Sequence, residues 1–289
     1  MSAVFKRELR AYANNVYGWL FMAVLMMYAG LMVYLDNLSG GYPQFEYALS
    51  DTQYALMILI PILSMRSMAE DKHNKTDMFY LSLPMKTSAV VLGKYFAMLA
   101  VLGASCVLLC LYPPLLSLLG TVNMGMAYLS VLHFFLLGAA LLAVCQFTSS
   151  LSDNLVVAAV LGVIASALLL FLPILAYNVI PSTSMVSFVG LIVLVLCAGA
   201  VAFLVTRNLN VTAITCAVGV VPLSILYIFV KDLFNGLLAN VLGVISPFVH
   251  FATFCEYGTF SIGSILLLLS FPVFFVYLTV QSADKKRWD

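Results

Sequence analysis

Residues 155–178 read LVVAAVLGVIASALLLFLPILAYN, without a single charged side chain. A helix rises 1.5 Å per residue and the bilayer hydrocarbon is about 30 Å thick, so about 20 apolar residues cross it. A helix that is apolar on every face must be enclosed by protein or by lipid. Working outward, comparable blocks lie at about 17–35, 53–66, 88–118, 125–149, 186–206, 211–230 and 261–280. The whole chain is 64% hydrophobic and 9% charged. A soluble domain carries roughly 25% charged residues, which it needs to wet its surface. The expected fold class is therefore all-α: a polytopic integral membrane protein of about eight transmembrane helices, with 1–289 as a single transmembrane domain.

Two blocks are irregular. The block at 53–66 is short and holds Pro61, so it borrows residues from Tyr47 onward or is tilted or broken. The block at 88–118 is over-long and ends at Pro113 and Pro114, so its surplus extends beyond the membrane. Lysine and arginine placement orients the spans, because basic loops stay in the cytoplasm. With the N-terminus inside and sides alternating, twelve of the thirteen basic residues fall inside and only Lys231 outside. An odd span number would put the Lys285–Arg287 tail outside. Eight spans fit, with six plus two re-entrant segments as the rival. Both termini are expected in the cytoplasm, in a multi-pass protein of the inner (plasma) membrane. Lys6, Arg7 and Arg10 precede the first block without a clean cleavage site, so it reads as a span and not as a signal peptide.

Residues 2–15 place Phe5, Leu9 and Tyr12 at i, i+4 and i+7, with the three basic residues on other faces. That pattern predicts an amphipathic helix in the inner interface; a charged flank that only sets topology is the alternative. Residues 231–260 are apolar but interrupted by Gly236, Gly243, Pro247 and Gly258. Their unbroken pieces are too short to cross, so they read as short helices dipping into the outer leaflet, or as an apolar loop.

Much chemistry is missing. There is no phosphate-binding G-x-x-x-x-G-K-[ST] loop, no H-E-x-x-H pair and no G-x-S-x-G elbow. The chain is expected to be no enzyme. The six cysteines sit mostly inside apolar blocks, where thiols act as small hydrophobes; no metal site is expected. A net charge of +1 offers nothing to nucleic acid. All twelve acids read as flanks or loops, which argues against an ion-coupled carrier. His133 alone among the ionisable groups lies well inside a block. It is a possible pathway residue, or a neutral histidine bonded to a neighbouring helix.

The densest charged segment runs from Arg66 to Lys94, between the second and third blocks. Here the sequence resembles the permease subunits of ABC-2 type exporters, whose cytoplasmic pattern is close to E-E-[KR]-x-x-G-T-x-E-x-L-x-x-[ST]-P. Glu70, Asp71 and Lys72 match its start. Thr76 matches, Asp77 matches after a one-residue shift, and Ser82 and Pro84 match the end approximately. Lys75 stands where the family pattern has glycine. Two further stretches extend the resemblance: FTSSLSDN at 147–154, and SPFVHF at 246–251 followed by Phe254, Gly258 and the tail KKRW at 285–288. In that order they look like the gliding-motility-associated branch.

The resemblance implies a permease subunit that forms the translocation path of an ABC exporter. It implies a second permease copy or paralogue as partner, membrane lipid around the pair, and separate ATP-binding cassette ATPase subunits that hold ATP and Mg; no cofactor is expected in this chain. Residues 2–15 would be the elbow helix, with Phe5, Leu9 and Tyr12 on its apolar face. Residues 68–84 would contain the coupling helix, with Glu70, Asp71, Lys72, Thr76, Asp77, Phe79 and Tyr80 facing the ATPase. Residues 231–260 would be the re-entrant region, with Pro247, Phe248, His250 and Phe251 helping to gate the exit. An ATPase-independent carrier or channel, or a membrane scaffold without transport, are the competing readings.

Overall fold

A computed structural model describes residues 2–75, 86–178, 183–206, 209–229, 231–259 and 261–285. Among them every regular element is helical and no strand forms. The helices are α1 (Ser2–Asn14), α2 (Val16–Met32, continued as a π-helical stretch Val33–Ser39), α3 (Phe45–His73), α4 (Thr87–Leu109), α5 (Tyr112–Ser117), α6 (Met124–Leu151), α7 (Leu155–Asn178), α8 (Ser184–Thr206), α9 (Leu209–Phe229), α10 (Leu237–Ile245), α11 (Pro247–Tyr257) and α12 (Ile262–Lys285). Among the described residues six helical stretches are long and apolar enough to cross a membrane: Val16–Ser39, Phe45–His73, Thr87–Ser117, Met124–Leu151, Leu155–Leu175 and Ile262–Asp284. Counting the broken pair α10 and α11 as one span would make seven. The chain is a multi-pass membrane protein. Helices α8 and α9 coincide with the sixth and seventh apolar blocks.

The second and third spans differ from their expected outlines. The helix around block 53–66 begins at Phe45, so Glu46, Asp51, Thr52 and Gln53 are helical and not part of a loop. Glu46 is buried, as are Thr52 and Gln53. The expectation that every acid sits in a flank or loop fails for Glu46 and Asp51. These polar side chains depress the local hydropathy, but enclosure by neighbouring helices makes them tolerable. In the third span α4 stops at Leu109 and the chain restarts at Tyr112, with Pro113 in the first turn of α5. Proline is tolerated there because first-turn amides lack an intrahelical partner.

The contacts group the chain into two compact units, Met1–Ala167 with His250–Arg287, and Leu168–Val249. In the first, α6 is the central stave and packs along α3 and α12. Its side chains are mostly enclosed, whereas those of α12 mostly face outward. Small residues help: a Cβ on Gly138 would lie 2.5 Å from Leu102 Cδ2, so a larger residue there would make the Leu102 side chain shift. Close approach through small residues drives helix association in lipid, where burial of apolar surface gives no gain. Gln146 Nε2 donates to the Val91 carbonyl at 3.1 Å and Tyr95 Oη to the Ala139 carbonyl at 3.0 Å, tying α6 to α4. Asn37 Nδ2 donates to the carbonyls of Tyr42 and Gln44 at 2.8 and 3.0 Å, closing the turn between α2 and α3.

In the second unit, Phe188, Tyr227 and Phe234 form an aromatic cluster. Phe188 and Tyr227 stack with centroids 4.3 Å apart, and Phe234 meets both edge-on. Leu191, Leu238 and Leu242 extend this core. Gly236, at φ +71°, turns the chain into α10 in a conformation that costs glycine no steric strain. Tyr177 Oη lies 3.4 Å from Asn240 Oδ1, and Ser246 Oγ donates to the Leu169 carbonyl at 2.6 Å.

Candidate functional site

The polar residues of the first unit gather at one end, where α1, the last turns of α3, the start of α4 and the end of α6 meet. Helix α3 carries its apolar face down to Leu63 and then, with no break, the charged run Arg66 to His73. Its 29 residues make it about 43 Å long, which exceeds the hydrocarbon thickness by about two turns.

Lys94 anchors this end. It lies on the second turn of α4 and its side chain is 2% exposed. An ammonium offers three donors and cannot be left bare in a low-dielectric interior. Its Nζ sits 2.5 Å from Asp71 Oδ2, donates to the Ser67 carbonyl, and lies 4.0 Å from Glu8 Oε1 on α1. Glu8 is also paired with the neighbouring Arg7 guanidinium. One buried lysine thus joins three helices.

Around it, each charge of the α3 tip has a partner. Arg66 holds Glu70 through a two-pronged pair, Nε to Oε2 at 2.8 Å and Nη2 to Oε1 at 2.6 Å. The Arg66 guanidinium lies 4.2 Å from the Tyr17 ring centroid. Lys72 donates to the Ser150 carbonyl and lies 3.6 Å from Asp153 Oδ1. Ser149 Oγ accepts from the Met68 and Ala69 amides at 3.3 and 3.1 Å, and lies 3.2 Å from the Met65 carbonyl. The FTSSLSDN turn is therefore packed against the tip of α3.

Helix α1 presents Val4, Glu8 and Tyr12 to this end; Phe5 and Leu9 are half-buried. Tyr12 Oη lies 3.4 Å from the Leu63 carbonyl. Burial, helped by the Glu8 charge, pushes the Tyr12 phenol above its ordinary range. A cleft of about 30 Å³ lined by Glu8, Ala11, Tyr12, Asn15, Arg66 and Glu70 opens beside it, enough for a water or two.

Of the residues singled out from the sequence, Glu70, Asp71 and Lys72 come together with Tyr12. Thr76, Asp77, Phe79 and Tyr80 lie outside the described residues. The helix ends at His73, and the Asn74 amide bonds back to the Glu70 carbonyl at 2.9 Å. Lys75 follows at φ +57°, the left-handed region that favours glycine, at the position where the resembled pattern has one. His133 and α11 meet elsewhere in this unit. The His133 ring stacks on Phe254 at 3.9 Å and its Nδ1 lies 3.1 Å from the Leu129 carbonyl. Phe251 meets Phe134 edge-on, and His250 Nδ1 lies 2.9 Å from Ser264 Oγ. Phe248 and Pro247 are buried. Lys94 and Glu8 escaped the sequence reading, although a lysine within an apolar run carries the signal that it needs an acid.

The fold and this charged end define a polytopic helical membrane protein with no metal-holding group of His, Cys, Asp and Glu among the described residues. Residues 44–205, more than half of the 289, match the family model of the ABC-2 family transporter proteins. The chain belongs to that family, whose members are the transmembrane components of transporters and generally work with an ATP-binding subunit. No curated protein matches the chain.

Proposed function

We propose that the chain is the permease subunit of an ABC exporter, coupled to a separate ATPase through the tip of α3. The observation that carries this reading is the unbroken run of α3 from the bilayer into the segment ending Glu70, Asp71 and Lys72, braced by Lys94, Ser149 and the turn at 147–154. A helix braced in this way transmits a push at its tip to the spans it packs against. ATP binding closes the partner ATPases, and the closed state favours one arrangement of the spans through its differential affinity. Two permeases, identical or paralogous, pair over two ATPases that bind ATP and Mg. Helix α1 serves as the elbow, and α10 with α11 as the re-entrant region. Eight spans, counting α8 and α9, leave both termini and twelve of thirteen basic residues in the cytoplasm of a plasma-membrane protein. The sequence resemblance supports the gliding-motility-associated branch and the outward direction of transport.

The test has two arms. Purified from its native membrane and placed in lipid nanodiscs, the chain is expected to carry an ATP-binding subunit in equal amount and to hydrolyse ATP. In intact cells, an Asn74→Cys variant is expected to resist a membrane-impermeant thiol reagent until the membrane is opened. Purification without any ATP-binding subunit, or labelling of Cys-substituted position 74 from outside, would overturn the reading.

A further inference from the structure

We propose that Lys94 is a positioning residue that latches α1 to the tip of α3, so that the N-terminal helix moves with the docking segment instead of resting passively on lipid. The functional half of this inference rests on the proposed permease role; the structural half does not.

Helix α1 packs along α4 and meets α2, but little ties it directly to α3. Along its length only Val4 and Tyr12 are buried hydrophobic residues, and the Tyr12 hydroxyl makes a long bond of 3.4 Å. Lys6, Arg7 and Arg10 are exposed. Beyond Tyr12, the link from α1 to the tip of α3 is electrostatic: Glu8, which also pairs with Arg7, faces Lys94 at 4.0 Å. The other side of the latch is tighter. Asp71 at 2.5 Å and the Ser67 carbonyl fix the same ammonium to α3 within the last two turns before His73. A lysine is suited to this task because its single charged centre can serve partners on different helices at once. With the lysine side chain 2% exposed, solvent reaches its ammonium poorly and screens the contact little. Any displacement of Asp71 by a docked partner is therefore passed to Glu8 and to α4 through one atom. The transmission differs from a simple anchor because the connection runs through the segment proposed to touch the ATPase.

The experiment compares wild type, Lys94→Met, Lys94→Arg and Glu8→Gln in the nanodisc complex by amide exchange and ATP turnover. In Lys94→Met, exchange over residues 3–14 is expected to rise about tenfold while α6 keeps its protection. The bound ATPase subunit is retained, ATP turnover falls several-fold with KM for ATP unchanged, and Lys94→Arg restores both readings. Glu8→Gln leaves the Asp71 pair intact, so it folds even where Lys94→Met does not; it is expected to loosen α1 by about threefold. Unchanged exchange over 3–14 in both Lys94→Met and Glu8→Gln would overturn the latch. Loss of protection in α6 together with α1 would reduce Lys94 to a folding role and equally overturn the proposal. If the wild-type chain carries no ATPase, the permease reading fails, and the exchange arm alone decides the latch.

Discussion

Ser166 Oγ lies 2.9 Å from the carbonyl of Met57, four residues before Pro61. Proline at 61 has no amide hydrogen to give that carbonyl, so α3 carries a vacant acceptor at membrane depth. Helix α7 offers Ser166 Oγ, whose one hydrogen is also within reach of its own Gly162 and Val163 carbonyls at 3.0 Å, and it comes close where a Cβ on Gly162 would lie 3.0 Å from Pro61 Cβ. The Ser166→Ala variant is expected to cost about 1 kcal/mol, in the range of interhelical hydrogen bonds in lipid. A thermal midpoint in detergent equal to that of wild type would show that the Met57 carbonyl finds another donor.

Glu70 and Asp71 are neighbours in sequence with different duties. Glu70 pairs with Arg66 at a partly exposed site, so Glu70→Gln is expected to cost less than about 1 kcal/mol. Asp71 faces a lysine that is 2% exposed, and Asp71→Ala removes its nearest carboxylate, leaving the Ser67 carbonyl and the more distant Glu8, at a cost of up to about 3–5 kcal/mol. Denaturation of the two variants side by side checks the contrast. Equal losses would mean that Lys94 is compensated elsewhere. A charge reversal at both positions is consequently a poor probe of docking, since it also breaks the helix junction.

Lys75 adopts φ +57° directly after the Asn74 cap of α3. A side chain in that region costs about 1 kcal/mol relative to glycine. Lys75→Gly is expected to raise the unfolding midpoint slightly and leave membrane insertion unchanged, whereas the β-branched Lys75→Val is expected to lower it. A destabilised glycine variant would mean that the lysine side chain makes a contact that outweighs the backbone strain.

Tyr12 gives a pH dependence with a definite sign. Burial raises its phenol above the ordinary value of about 10. A group whose folded pKa is raised contributes stability that is full below its unfolded pKa and is lost as pH climbs toward the folded one. Wild type is expected to lose stability above about pH 10 more steeply than Tyr12→Phe, in which the phenol is gone and the ring remains. Parallel stability curves for the two proteins over that interval would exclude Tyr12 as a contributor.

Composition and block length made most of the helices legible. The block at 155–178 coincides with α7 residue for residue, and the pattern of residues 2–15 predicts the helix of α1. Averages over composition see how apolar a run is, not which way each side chain faces. For that reason the start of the second span at Phe45 was hidden: Glu46, Thr52 and Gln53 look like loop residues until neighbouring helices enclose them. Lys94 was hidden for the complementary reason. At the beginning of an apolar run a lysine reads as a flanking topology signal, and only the approach of α1 and α3 shows that it is inside. The triplet Glu70, Asp71 and Lys72 was found through its likeness to a known pattern; its contacts with Ser150, Asp153 and Lys94 join positions too far apart in sequence for any spacing rule to link.

The turn held by Asn37 has a consequence for biogenesis. Its donors and acceptors all come from residues 37–44, so the hairpin of the first two spans seals its own connecting loop as soon as both have left the ribosome. The opposite end cannot seal then, because the ammonium that neutralises Asp71 arrives only with α4. Nascent chains halted before that helix enters the membrane would carry a finished loop at one end of the hairpin and, at the other, a junction still lacking Lys94.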